Sequence, residues 1–380
     1  MALPKEWEFL CACASPASTA EEIHKLMIPG LNWQSLVDLA EIHGVPGVLV
    51  RRLGELGFAG VPSETRDKLQ SRIRTQHMST LGMTAELFRM LREFSQAGID
   101  TVLVKGPVTS LLAYGDPAIR NYADLDLLVR QRDIRRATEC MLRVGFEAEV
   151  PESAMHANKI PGEYIFQRPG THCMVELHTE NTFRYYPRQM RIEELFGRKR
   201  MLILDGRDVP ALALEDELVL NCIHGAKHFW ERLMWVSDVS AIVKRHPEIN
   251  WEKARQAAQE VGAARMLRVG VQLGELLLRV KLPSTISEDI EKDPNSERLC
   301  RRILAWLPYA GAAPPPLPAR AMFRLGMAGG GVTGLGYLMR LSLSPTQEDW
   351  AEGREEQRSW FWDAVRRPFR LFRKYGSPGE

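Results

Sequence analysis

A chain of 380 residues, 45% hydrophobic and 26% charged, has the balance of an ordinary folded protein, which excludes intrinsic disorder. Its length exceeds one average domain, so two or three packed units are expected. Lys and Arg number 50 against 48 Asp and Glu, which excludes a global affinity for nucleic acid and leaves only a local basic surface to consider.

Cys11, Cys13, Cys140, Cys173, Cys222 and Cys300 form no Cys-x-x-Cys pair. That scatter suits reduced, mostly buried thiols in a cytosol. The segment Met1–Glu6 has no basic stretch leading into an apolar run, as a signal peptide would. No stretch reaches the ~20 apolar residues that span a bilayer. The nearest, Phe323 to Leu343, is interrupted by Arg324 and Arg340. A soluble, cytoplasmic protein is expected.

Residues 1–98 read as an N-terminal helical region. Trp33–His43 carries Leu36, Leu39 and Ala40 at helical spacing before Gly44. A longer helix follows Pro62, with Ser63 as its expected N-cap and Met83, Leu87, Met90, Leu91 and Phe94 on one stripe. Residues 99–210 read as an α/β unit: a strand over Thr101–Val104, a short helix over Pro107–Leu112 and a strand over Ala123–Val129. A helix follows over Arg132–Arg143 with Ile134, Ala137, Met141 and Leu142 inward, and then a hairpin of Glu163–Gln167 with His172–His178 around Arg168-Pro169-Gly170. Residues 211–310 are helical again, over Leu214–His228, Arg232–Lys244 and Trp251–Val280. Residues 311–380 hold a semi-rigid proline-rich linker, Ala312–Pro318, and an aromatic-basic tail, Ser359–Tyr375. Such a tail can lie on an anionic membrane surface, but Pro368 interrupts it and docking on the protein itself is favoured.

The chemistry gathers in the α/β unit. On a strand, Asp124 and Asp126 share one face while Leu125, Leu127 and Val129 take the other. Two carboxylates side by side repel unless a cation lies between them, and hard oxygen ligands suit magnesium. Glu176 and His178 likewise share a face of the last strand. Should that strand neighbour the first pair, three carboxylates converge, a set that can hold two Mg²⁺. Gly106, between strand and helix, lets backbone N–H groups approach a phosphate at a helix N-terminus, with Lys105 and Arg120 as nearby cations. Solvated charges on a strand face, and ordinary ion pairs for Lys105, Arg120 and Glu176, are the plainer alternatives.

Further on, His224 and His228 stand four residues apart, a spacing that can bind zinc. His-Gly-Ala-Lys-His lacks the glutamate of the metalloprotease helix motif, and that reading is set aside. Glu217, Asn221, His224 and His228 fall on one helical stripe. The stripe is expected to line the nucleotide or acceptor side of a cleft, with Lys227 near phosphate, against a plain packing role. Trp235 and Asp238 are expected to bridge helices.

Together, Leu103-Val104-Lys105-Gly106, Arg120, Asp124-Leu125-Asp126 and Val175-Glu176-Leu177-His178 make the sequence resemble the uncharacterised nucleotidyltransferase family of the polymerase-β-like superfamily. The likeness takes in Leu39–Val45, His224–Trp230 and Leu233–Asp238, and so runs from about residue 30 to 245. It implies a small mixed sheet with helices, an α+β or α/β nucleotidyltransferase core, flanked by N- and C-terminal helical regions. It also implies Mg²⁺-dependent transfer of a nucleoside monophosphate from an NTP with release of pyrophosphate, Mn²⁺ being able to substitute. Asp124, Asp126 and Glu176 would be catalytic and hold two metal ions, Glu176 doubling as base. Lys105, Gly106, Arg120, His178, His224, Lys227 and His228 would face the nucleotide. The acceptor would be an unidentified small molecule, peptide or protein rather than nucleic acid, in exopolysaccharide assembly or peptide maturation. The sequence departs from the superfamily in having Lys105-Gly106 where Gly-Ser is usual, with 17 residues before Asp124. That departure gives weight to an alternative, a non-catalytic nucleotide-binding or scaffold module; an RNA-directed transferase is a weaker one.

Overall fold

The computed structural model describes residues 4–27, 30–152, 155, 162–171, 173–179, 188, 191–309, 317–329 and 331–343. The first of these form helices Lys5–Ala14, Ala20–Leu26, Trp33–Ile42, Pro46–Glu55 and Ser63–Gln96. Local chemistry starts several of them: Thr19 and Glu22 close a reciprocal capping box, and Asn32 accepts from the Ser35 N–H at 3.0 Å. Ser63 does not cap its helix. It is the first helical residue, after Pro62, and its side chain makes no capping bond. Met83, Leu87, Met90 and Phe94 are buried as their stripe demands.

The sheet has seven strands: β1 (Thr101–Val104), β2 (Asp124–Val129), β3 (Glu147–Ala148), β4 (Glu163–Gln167), β5 (Met174–His178), β6 (Arg200–Leu204) and β7 (Arg207–Ala211). Their order is β3-β4-β5-β2-β1-β7-β6. β1 runs antiparallel to β2 and parallel to β7, while β2 runs parallel to β5. The sheet is therefore mixed, as expected. The hairpin β6–β7 lies beyond the strands expected from the sequence, although its signal is local. Asp205 and Gly206 both take positive φ, 46° and 76°, as a two-residue turn between twisted strands requires. The strand expected from His172 begins at Met174. In helix Ile134–Arg143 the buried residues are Ile134, Ala137, Thr138, Cys140 and Met141. Leu142, expected inward, lies one step round from Met141 and is 37% exposed.

Past the sheet come helices Leu214–Lys227, Leu233–Arg245, Trp251–Glu260, Ala264–Leu278, Ser284–Glu291, Pro294–Trp306, Leu317–Met327 and Gly331–Leu343. The single helix expected over Trp251–Val280 is two, parted at Gly262, whose φ of +72° breaks the helical run. Helices Leu214–Lys227 and Ala264–Leu278 meet closely at Gly270, where a Cβ would stand 2.5 Å from Cys222 Sγ. Leu317 and Pro318 of the expected linker begin a helix; its other residues, 312–316, and the aromatic-basic tail lie outside the described residues. All six cysteines are buried thiols. Among the described residues no helix is long and apolar enough to cross a membrane.

Candidate active site

The parallel pairing of β2 with β5 sets Asp126 opposite Glu176 and Leu128 opposite His178. Leu125, Leu127 and Val129 point into the core and are buried, so the alternation turns the polar set to the other face. Ligand atoms of Asp126, Glu176 and His178 all lie within 4.8 Å of one another. His178 Nε2 stands 2.7 Å from Asp126 Oδ1 and 3.2 Å from Glu176 Oε2. Lys105 Nζ reaches the same Asp126 oxygen from the end of β1 at 2.7 Å.

These contacts set the protonation states. Burial alone would raise the Asp126 carboxyl, but Lys105 and His178 outweigh it and hold it far below the usual range. Burial would lower His178, yet its bonds to Asp126 and Glu176 push it up to about 9. Asp124, one pleat back on the same face, rises to about 6 through burial and the charges of Asp126 and Glu176. Once His178 gives up its proton, two carboxylates and an imidazole fit a divalent cation, the oxygens suiting Mg²⁺ and the nitrogen suiting Mn²⁺ as well. The sequence suggests that His178 lies beside the nucleotide; in the fold its Nε2 faces the carboxylates of Asp126 and Glu176, a set that could hold a metal ion.

Lys105 and Gly106 form the turn between β1 and helix Gly106–Tyr114. Lys105 has φ 52° and ψ −146°, a conformation that residues with a side chain rarely adopt. Gly106 follows at φ +37°, and a Cβ there would stand 3.5 Å from the Asp124 carbonyl oxygen. The Lys105 N–H donates to Glu217 Oε1 at 3.1 Å, and the Thr109 hydroxyl donates to the same oxygen at 2.8 Å. Glu217 and Asn221 thus lie buried behind the turn rather than along an open cleft, the polar stripe turning inward to satisfy strained backbone.

Arg120 is also buried. Its Nε donates to Asp238 Oδ2 at 2.8 Å, and the Tyr114 hydroxyl donates to Asp238 Oδ1 at 2.8 Å. Burial opposes the charge on Arg120, but Asp238 more than restores it. Asp238 therefore bridges helices as expected. His224 and His228 are half-buried, their rings 4.7 Å apart, and His228 stacks on Trp235 at 5.0 Å. Burial, followed by Lys227 and Lys105, pushes His228 down to about 3. Burial and then Lys105 likewise hold His224 well below its ordinary value. His224 on helix Leu214–Lys227 and His228 at its C-terminal cap are thus neutral imidazoles. Thr109 and Tyr114 escaped the sequence reading because isolated hydroxyls in a short apolar helix carry no periodic signal.

Over part of its length the chain is similar to three solved structures. The lincomycin-bound lincosamide antibiotic adenylyltransferase LnuA shares 15% identity, covering 42% of this chain and 94% of that one, with a TM-score of 0.30. The antibiotic-resistance factor ANT(2'')-Ia shares 10% over 47% and 91%, with a TM-score of 0.34. An antigenic nucleotidyltransferase-like protein from Paracoccidioides brasiliensis shares 17% over 56% and 95%, with a TM-score of 0.32. No curated protein matches the chain. The profile of one family, described as uncharacterised nucleotidyltransferase, matches residues 29–279, which hold the whole sheet and the helices that grip Lys105 and Arg120. The chain belongs to that family.

Proposed function

We propose that the protein transfers a nucleoside monophosphate from an NTP to an acceptor hydroxyl, releasing pyrophosphate. The observation that carries the reading is the convergence of Asp126, Glu176 and His178 beside Lys105 and the glycine turn. Asp124, Asp126 and Glu176, joined by His178, would hold Mg²⁺ or Mn²⁺, which when bound supplies charge neutralisation at phosphate and acidifies a hydroxyl. Glu176 takes the acceptor proton as the acceptor oxygen bonds to the α-phosphorus. The bond from that phosphorus to the bridging oxygen breaks, and pyrophosphate leaves with the electron pair. Lys105 steadies the departing phosphates, and the N–H groups opening helix Gly106–Tyr114 favour their charge. His224, Lys227 and His228 face the nucleotide from the far side, and Arg120 lends positive charge from behind. Exopolysaccharide or peptide-maturation acceptors fit the family resemblance.

A second reading, a nucleotide-binding module without transfer, is favoured by the Lys105–Asp126 ion pair, which occupies a would-be ligand oxygen. Incubating the protein with each NTP, Mg²⁺ and candidate acceptors, itself included, followed by mass spectrometry, separates the two. A gain of one nucleotide mass, lost in Asp124→Ala and Asp126→Ala, supports transfer. NTP binding with no pyrophosphate released on any acceptor supports the module, and turnover retained in both variants removes the carboxylate mechanism.

A further inference from the structure

Glu217 does work that the mechanism above does not use. It sits 112 residues after Lys105 in the chain, on helix Leu214–Lys227, with no exposed surface. One of its oxygens, Oε1, accepts three bonds: from the Lys105 N–H at 3.1 Å, the Thr109 hydroxyl at 2.8 Å and Asn221 Nδ2 at 3.2 Å. Asn221 Nδ2 in turn donates to the Glu217 carbonyl at 2.8 Å, tying the amide to the helix that carries the carboxylate. The other oxygen, Oε2, is buried without a partner. A side chain wanted only for packing would be apolar, because a buried carboxylate is costly unless its bonds are needed. Here the bonds lie on both sides of one bend, Lys105 before Gly106 and Thr109 after it. The bend is the place where the backbone is strained, at φ 52° and ψ −146°.

We infer that Glu217 is a positioning residue: it holds the Lys105–Gly106 turn in the bent form that aims the Lys105 ammonium at Asp126 and keeps the turn ready for phosphate. The inference rests on the nucleotidyltransferase reading for its purpose, and on the hydrogen bonds for its mechanism. Glutamine keeps an oxygen that accepts all three bonds, so Glu217→Gln should preserve the turn, its unpartnered amide costing overall stability rather than the bend. Alanine removes the acceptor and frees the Lys105 N–H.

The test measures ATP and GTP affinity with Mg²⁺ by fluorescence of the nine tryptophans, together with amide hydrogen exchange over residues 102–112. Glu217→Ala should weaken NTP binding about tenfold and speed exchange at 105–109, while Glu217→Gln stays within about threefold of the parent. Because Glu217 acts partly by aiming Lys105, the double variant Lys105→Met/Glu217→Ala should lose less affinity than the sum of the two single losses. Should Glu217→Ala fail to fold, Thr109→Val removes one of the three donors and should weaken binding by about threefold. Parental affinity in Glu217→Ala, unchanged exchange at the turn, or full additivity in the double variant overturns the inference; so does parental affinity in Thr109→Val where that variant stands in. If the parent protein binds neither nucleotide, the nucleotidyltransferase reading falls. Exchange then decides Glu217 alone: faster in alanine but not in glutamine upholds its hold on the turn, and any other pattern refutes it.

Discussion

Asp238→Ala would remove the carboxylate that meets Arg120 Nε at 2.8 Å, in a place where the two side chains are only 8% and 1% exposed. Arginine cannot shed its proton, so the variant leaves a charge in the interior with no counter-ion, a loss of about 3–5 kcal/mol. The Tyr114 hydroxyl loses an acceptor as well, keeping only Ser237 Oγ at 3.1 Å. The reciprocal change, Arg120→Met, is not its mirror image. Asp238 keeps the Tyr114 bond and can take up a proton, burial already raising its pKa in the intact protein. The cost is then about 1.4 kcal/mol for each pH unit by which the solution exceeds the unfolded carboxyl value, up to the raised folded one. An acid whose folded pKa exceeds its unfolded one stabilises fully below the unfolded value, and that stability fades as pH rises through the folded one. Lowering the pH from 7 to 5.5 should therefore restore up to about 2 kcal/mol to Arg120→Met relative to Asp238→Ala. Urea unfolding of both variants at the two pH values measures this. If Arg120→Met is as costly as Asp238→Ala at both, the pair is not the buried charge couple described.

Two other perturbations probe how the N-terminal helices grip the site. A Cβ on Gly47 would stand 2.1 Å from the Ile119 carbonyl oxygen, a backbone atom next to Arg120. Gly47→Ala should therefore cost at least about 2 kcal/mol in urea unfolding, and a parental midpoint would contradict the close approach. His43 Nδ1 accepts from the Leu233 N–H at 3.1 Å, and burial, then Arg232, lowers its pKa to about 4. A base depressed on folding stabilises fully above its unfolded value near 6.5 and loses that stability as pH falls through about 4, up to about 3 kcal/mol in all. His43→Asn keeps an acceptor for Leu233 but cannot titrate, so its stability should fall less between pH 7 and 4; equal falls would exclude His43 as the source.

Much of the site was legible because strand alternation is rigid. Asp124 and Asp126 had to share a face, as did Glu176 and His178, and only the pairing of β2 with β5 remained to be found. The Lys105-Gly106 bend was legible too, since glycine between an apolar strand and a helix marks a turn. What local pattern did not reveal was which cation answers which acid. Arg120 and Asp238 lie 118 residues apart, and nothing in the spacing joins them. The stripe of Glu217, Asn221, His224 and His228 reads as one polar face, but such a face reads the same whether it meets water or, as Glu217 does, a buried backbone. The β6–β7 hairpin shows the opposite failure. Its Asp205-Gly206 turn is a local signal, yet the strands either side carry no clean alternation of apolar and polar residues.

Lys105 and Arg120 are expected from the sequence either to meet phosphate or to pair with acids, and the structure shows an acid partner for each. Both are held from the helical region: Lys105 through its backbone N–H by Glu217, Arg120 through its guanidinium by Asp238. The acids sit on successive helices, Leu214–Lys227 and Leu233–Arg245, and reach back more than a hundred residues to the sheet. Between those helices the His43 carbonyl and ring nitrogen accept from the N–H groups of Met234 and Leu233, fixing the start of the second helix to the N-terminal helices. A shift of either helix would move a cation relative to Asp126, because hydrogen bonds to buried charges tolerate little displacement. The helices after the sheet are thus part of the site's alignment, and a sheet excised without them would keep its carboxylates while losing the partners that aim the positive charge.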